Sequence, residues 1–262
     1  MFPPDLPPVS NWALYIQRVL AKWLSFFLFG LTSLIFGISV LPIMRLVLHP
    51  QERFQKYGRR FISAALRFFV FIMHGLGIVD LETDSRENYR HLSSKIIVAN
   101  HPSLLDVVML LSLIPNADCI VNAALKQGIL RGVICQLYIP GSPEVEDVFQ
   151  ACTKSLRQGN CLIVFPEGTR TRRVGKTILK KGAARIALAT GYSIVPVHIG
   201  GTDKFGLGKK DPWIGFNPRE RYVYRLSMGA TINPENFRHL PASAAAKSIT
   251  REIASALLIY RK

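Results

Sequence analysis

The segment Asn100-His101-Pro102-Ser103-Leu104-Leu105-Asp106 sets a histidine five residues before an aspartate, where the apolar run Lys95–Ala99 gives way to an apolar helix. In α/β proteins, strand ends facing helix starts are where sites are kept. On one continuous helix this spacing puts the two side chains about 140° apart, at about 100° per residue. Pro102 disfavours helical backbone at the residue before it, so His101 stays in the entering loop and can fold back over the first turn. A carboxylate touching an imidazole fixes one ring tautomer and stabilises the charged ring, which leaves the other nitrogen to take a proton from a substrate hydroxyl. The same residues also fit a helix start. Ser103-x-x-Asp106 has the pattern of a capping box, in which Asp106 serves the backbone donors of the first turn. The two roles are compatible.

A second group, Phe165-Pro166-Glu167-Gly168-Thr169-Arg170, closes the apolar run that starts at Cys161. Six basic residues then stand within twelve positions, Arg170, Arg172, Arg173, Lys176, Lys180 and Lys181, with no acid among them. Pro166 ends a ladder by removing a donor, Gly168 permits a tight turn, and the planar fork of Arg170 suits a phosphate. The group reads as a phosphate site at a strand end or, on charge alone, as a solvated basic loop. Gly175-Lys176-Thr177 resembles the end of a P-loop, but the glycine required five positions earlier is Arg170, which rules out the close backbone approach. With no G-x-S-x-G elbow and no H-E-x-x-H, serine-hydrolase and zinc-protease templates are unsupported. Cys119, Cys135, Cys152 and Cys161 form no CxxC pair and have no nearby His at metal-ligand spacing, so reduced, mostly buried thiols are expected.

These groups need elements to hold them. The runs Lys95–Ala99, Cys161–Phe165 and Ser193–His198 read as strands, and Leu104–Ile114, Val145–Arg157, Lys180–Thr190 and Ser243–Tyr260 as helices. The alternation predicts an α/β domain. In the last helix Ile249, Ile253, Ala256, Leu257 and Tyr260 fall on one face. Ahead of this domain, the stretch between Lys22 and Arg45 carries no charge and, as a helix, would be about 33 Å long, close to a bilayer core. Gly30, Gly37 and Pro42 make it a poor rigid rod, and the next apolar stretch, Phe68–Val79, is interrupted at His74 and too short to span. Between the two lie Arg45, Arg53, Lys56, Arg59 and Arg60 against Glu52 alone, while Arg18 and Lys22 flank the first stretch on its other side.

Basic flanks mark the cytoplasmic side. The simplest arrangement is a pair of helices that dips into one leaflet and returns, its basic rim on anionic headgroups. The rivals are a single crossing by the first stretch and a buried hairpin in a soluble core. A signal peptide is disfavoured, because the charged start is long and no A-x-A-like site closes the run. The expected division is a membrane-associating segment over 1–78 and an α/β domain over 79–262. The composition agrees: 33 Lys and Arg against 17 Asp and Glu leave a net charge of +16, and 49% hydrophobic residues exclude a disordered basic chain. The charge points to an anionic partner. Nucleic acid is disfavoured, since no aromatic stacking platform or recognition motif accompanies the basic run.

Together the motifs resemble the glycerolipid acyltransferase family that includes lysophosphatidic acid acyltransferases. The resemblance is carried by the His-x4-Asp segment Asn100–Asp106, the block Phe165–Arg170, Lys181-Gly182-Ala183 and Val195-Pro196-Val197, and it covers Val79 to Asp203. It implies a mixed sheet flanked by helices, behind an N-terminal membrane-embedded helical hairpin at the cytoplasmic face of the inner membrane. It also implies acyl transfer from an acyl-CoA or acyl carrier protein thioester to a hydroxyl of a lysophosphatidate-like acceptor in phospholipid biosynthesis, with no metal, cofactor or covalent enzyme intermediate. In that reading His101 is the base, Asp106 orients it, Arg170 holds the acceptor phosphate, Glu167 and Gly168 shape the acceptor pocket, and Thr169 and Lys181 complete the substrate-binding set. One feature departs from the family: members with glycerol-phosphate acceptors carry an apolar-Gly stretch ending in Ile-Asp-Arg, whereas Tyr138–Ser142 has no Arg. Either Arg131 substitutes, or the acceptor is another lipid, such as an aminolipid or a polyene lipid. A non-enzymatic protein that binds anionic lipid is the reading in which His101 and Asp106 only cap a helix.

Overall fold

The structure, a computed structural model, describes residues 6–121, 131–141, 144–171 and 177–258. The chain opens with helix α1 (Trp12–Ile35), capped by the Asn11 side chain, which accepts from the Leu14 amide at 3.0 Å. A π turn over Phe36–Val40 joins it to α2 (Leu41–Val47). Pro42 cannot donate to the ladder and its ring crowds the turn before it. The Leu41 amide accordingly reaches back five residues to the Phe36 carbonyl, and the helix widens instead of breaking. The resulting rod of 36 residues, Trp12–Val47, is long and apolar enough to cross a membrane. Only Lys22, Ser25 and Leu41 are buried along it.

Helix α3 (Gln51–Gly75) runs back from the rod. Leu66, Phe69, Val70 and Met73 recur at helical spacing and enter the main core. The second arm of the expected hairpin has two faces. In the stretch Phe68–Val79, Phe69, Val70 and Met73 pack toward the sheet, and Phe68 and Phe71 are the exposed large apolar residues. The basic connection is corrected. Arg53, Lys56 and Arg60 are exposed, but Arg59 is buried and paired with Asp118. Lys22 and Arg18 likewise donate to backbone carbonyls of residues 213–219.

The α/β part consists of β1 (Val79–Thr83), α4 (Arg86–Arg90), β2 (Ile96–Ala99), α5 (Asp106–Leu113), β3 (Ala117–Val121), α6 (Arg131–Leu137), β4 (Ile139–Pro140), α7 (Val145–Arg157), β5 (Cys161–Val164), α8 (Gly182–Thr190), β6 (Ile194–Gly201), β7 (Tyr222–Met228) and α9 (Ala242–Leu258). The strands form one mixed sheet in the order β1-β7-β6-β2-β5-β3-β4, parallel throughout except for the β6–β7 pair. Alternate residues of β2 serve two cores. Ile97 and Ala99 pack with α3 and α5, and Ile96 and Val98 pack with α7, α8 and α9.

Helices α7, α8 and α9 and the three expected strands lie where the periodicity places them. In α9, Ile249, Ile253 and Leu257 are buried and Ala256 is half-buried, while Tyr260 lies outside the described residues. Helix α5 starts at Asp106 and not at Leu104, because residues 103–105 form a turn closed on Asp106. Strands β1, β3, β4 and β7 are additional. Cys119, Cys152 and Cys161 are buried free thiols, and Cys135 is exposed.

Candidate active site

Strands β2 and β5 are adjacent and parallel, with Ile96 opposite Leu162 and Val98 opposite Val164. Their C-terminal ends therefore lie side by side, and the two motifs that follow them meet. Asn100 fastens the end of β2 to β6: its side-chain amide donates to the Ile199 carbonyl at 2.9 Å and accepts from the Ile199 amide at 2.7 Å. His101 then leaves the sheet, and its backbone is gripped by the second motif. Its amide donates to Glu167 Oε1 (3.1 Å) and Thr171 Oγ1 (3.3 Å), and its carbonyl accepts from the Thr171 amide (2.6 Å). The Phe165 ring stacks on the imidazole with centroids 4.3 Å apart.

The imidazole does fold back over the helix start. His101 Nδ1 lies 2.8 Å from Asp106 Oδ2, with Asp106 fully buried and the His101 side chain 17% exposed. Asp106 accepts two further bonds, from the Ser103 amide to Oδ2 (2.7 Å) and from Ser103 Oγ to Oδ1 (2.6 Å). The capping role is thus present alongside the contact with His101. A carboxylate accepts only, so the Asp106 bond puts the ring proton on Nδ1. In the neutral ring Nε2 then carries the lone pair, and no described residue hydrogen-bonds it.

Sequence reasoning missed the support behind Asp106. Ser103 Oγ spends its proton on the carboxylate, so the Tyr224 hydroxyl, 2.7 Å away, donates to Ser103. Burial, reinforced by the Asp106 charge, holds the Tyr224 phenol well above its ordinary range, so it stays a donor. Lys204 caps the other side of this tyrosine, with Nζ 4.6 Å from the ring centroid. It is itself held by the carbonyls of Gly200, Thr202 and Val223. Burial pushes the Lys204 ammonium down to about 8, opposed by the carboxylates of Asp106, Asp203 and Glu220.

The remaining expected residues divide. Glu167 is buried and turned to the His101 amide and the Thr171 hydroxyl (2.6 Å), so it clamps the two loops together. Gly168 takes φ +65°, a left-handed turn in which a Cβ would also meet the Lys180 side chain. Arg170 Nη1 donates to the Leu207 and Gly208 carbonyls, each at 2.9 Å, which leaves its other guanidinium nitrogens without a partner among the described residues. The guanidinium lines a cleft of about 90 Å³ with Leu104, Leu207, Lys210 and Trp213. Thr169 is exposed, and Lys181 is exposed at the start of α8; neither makes a polar contact with His101 or Arg170. Arg172, Arg173, Lys176 and Ser142 lie outside the described residues. Arg131 opens α6, where Gly132 packs so close to Gly37 of the π turn that a Cβ on Gly132 would touch the Gly37 Cα at 3.4 Å.

Residues 80–200 match the family model described as Acyltransferase. The chain is similar to a 1-acyl-sn-glycerol-3-phosphate acyltransferase of Cocos nucifera, 32% identical over 117 residues, which cover 41% of this chain and 37% of the relative. A chloroplastic 1-acyl-sn-glycerol-3-phosphate acyltransferase of Arabidopsis thaliana is 29% identical over 182 residues, 64% of this chain and 50% of that protein. The chain thus spans half or less of these two plant relatives. With a probable 1-acyl-sn-glycerol-3-phosphate acyltransferase of Mycoplasma pneumoniae it shares 28% identity over 226 residues, 80% of both chains. The crystal structure of the 1-acyl-sn-glycerophosphate (LPA) acyltransferase PlsC from Thermotoga maritima has the same fold, with a TM-score of 0.65 at 21% identity over 92% of this chain and 96% of that one.

Proposed function

From the match of residues 80–200 to the acyltransferase family model, we propose that this chain is an acyltransferase that moves a fatty acyl chain from a thioester to a hydroxyl of a lysophosphatidate-like lipid at a membrane surface. The observation that carries the reading is the 2.8 Å contact between His101 Nδ1 and the buried Asp106 carboxylate, which leaves Nε2 basic.

The acceptor hydroxyl donates to Nε2. As its oxygen attacks the thioester carbonyl, the proton passes to His101, and Asp106 steadies the imidazolium. The tetrahedral intermediate expels the thiolate by breaking its C–S bond, and the imidazolium returns the proton to that sulfur. Phe165 keeps the ring in plane from one side, and the partnerless nitrogens of Arg170 face the acceptor phosphate. The relatives named as acting on 1-acyl-sn-glycerol-3-phosphate favour a phosphate-bearing acceptor. Both acyl-CoA and acyl carrier protein are donors to be offered.

The N-terminal rod lies in one leaflet at the cytoplasmic face of the inner membrane. Its inner side is held to the α/β part at Lys22 and again at Leu41, which clusters with Phe54 of α3 and Leu137 of α6. A helix tied to a water-facing domain at two such distant points cannot cross the bilayer without drawing that domain into hydrocarbon. Exposed Arg53, Lys56 and Arg60 supply the basic rim.

The test is mass spectrometry of products after the purified protein is given both thioester types with a panel of lysolipids and non-phosphate acceptors. Acylated lysophosphatidate is expected, and His101→Ala should lower its formation about 10²–10⁴-fold while circular dichroism stays unchanged. Full transfer by the folded variant, with liposome binding unaffected, would instead favour the lipid-binding protein.

A further inference from the structure

The connection between β6 and β7, residues 202–221, carries a second membrane-facing element. It has no regular structure, yet it is pinned throughout. Asp211 Oδ2 accepts from the Gly206 and Gly208 amides, each at 3.0 Å. Asn217 bridges the Asp203 carbonyl and the Arg219 and Glu220 amides, and Tyr222 donates to the Phe205 carbonyl at 2.6 Å. Phe205, Leu207 and Phe216 are buried beneath.

Above this base, Trp213 is 58% and Ile214 71% exposed. A loop able to bury three apolar side chains leaves its next two in water, beside exposed Lys210. The tip is joined to α1 from below. Lys22, 1% exposed, donates to the Trp213 and Gly215 carbonyls at 2.7 and 2.5 Å. From the side, the Trp23 and Trp213 rings lie 6.2 Å apart. The loop tip is therefore continuous with the exposed apolar stripe Leu20, Trp23, Leu24 and Phe27.

We propose that the tip Trp213–Ile214 enters the lipid surface beside α1, with Lys210 at the anionic headgroups, as a second membrane contact separate from the N-terminal helices. An indole at the interface, an aliphatic side chain beyond it and a lysine at the rim form the sequence of side chains that an anionic leaflet accepts. The same loop supplies the Leu207 and Gly208 carbonyls to Arg170 and the Leu207 carbonyl to the Leu104 amide. Insertion of the tip thus sets the height of the candidate acceptor cleft over the leaflet. The inference rests on the reading of α1 as a membrane surface helix.

Two exposed residues separate the two ideas, Ile214 on the loop and Leu31 on α1. Partition of the full chain onto vesicles of three parts phosphatidylcholine to one part phosphatidylglycerol is measured by sedimentation, with circular dichroism to show each variant folded. Ile214→Asp is expected to weaken partition about tenfold or more, as is Leu31→Asp. Unchanged partition of Ile214→Asp beside loss in Leu31→Asp overturns the second contact and leaves α1 standing. Loss in Ile214→Asp alone keeps the loop contact and removes α1. Loss in neither, or no binding by the parent chain, removes both.

Discussion

Nε2 of His101, the proposed proton acceptor, is set by a chain of three buried groups, Asp106, Ser103 and Tyr224, of which only the last is distant in sequence. Asp106 receives three donors, and Ser103, which supplies two of them, is itself held by Tyr224 from strand β7. Tyr224 touches neither ring nitrogen, so its part is positioning. Tyr224→Phe should leave KM for the acceptor unchanged and lower kcat about tenfold, the effect of losing one buried hydrogen bond of about 1–1.5 kcal/mol behind the carboxylate. Ser103→Ala should act the same way, and the double variant should add little, since both cut one chain. Steady-state kinetics with acceptor varied checks this, and a rise in KM with kcat unchanged would contradict it. The pairing of His101 with Asp106 was legible because the five-residue spacing around Pro102 is a local matter. The share of Tyr224 was not, because 121 residues separate it from Ser103.

Between elements, the joint that matters most is polar. Arg59 of α3 reaches Asp118 of β3 at 3.1 Å, with side chains 5% and 3% exposed, and donates to the Leu137 carbonyl at 3.0 Å. Burial pushes the Asp118 carboxyl up, and the Arg59 charge, the Ser155 hydroxyl and the Cys119 and Ile139 amides pull it back. Removing one partner strands a buried charge, so Arg59→Met should cost about 3–5 kcal/mol in denaturant unfolding. The pair replacement Arg59→Met with Asp118→Leu should recover most of that loss. Charge counting assigned Arg59 to the lipid rim, because a basic residue between two apolar stretches looks solvated until its partner across the fold is known. Strand β7 is a different case. Tyr222, Tyr224 and Leu226 are buried and Arg225 is exposed, an alternation present in the sequence but set in a segment without the uniform apolar run that marked β2 and β5. The two-residue strand β4 has no signal of its own and exists only because Ile139 lies opposite Ile120.

At the scale of the molecule, the proposed contact with an anionic leaflet draws on two features, a net charge of +16 over the whole chain and a long exposed apolar stripe. The two parts of that attraction separate with salt, because the Debye length falls from about 10 Å at 0.1 M to about 3 Å at 1 M. Raising salt over that range should weaken partition onto phosphatidylglycerol-containing vesicles about tenfold or more and change partition onto pure phosphatidylcholine little. Equal loss on both vesicle types would assign the binding to something other than headgroup charge.

The sequence by itself determined the kind of domain, the strand ends that carry the two motifs, the pairing of His101 with Asp106 and the presence of one long apolar helix, since each follows from spacing within a few turns of chain. Tertiary structure alone decided that the two motifs meet, because that depends on β2 and β5 becoming neighbours. It also decided that Glu167 closes the loops, that Lys22 and Arg59 turn inward, and that Trp213 joins the face of α1. Those outcomes depend on which distant groups can desolvate a charge or bury a ring together, and local periodicity carries no information about partners a hundred residues away.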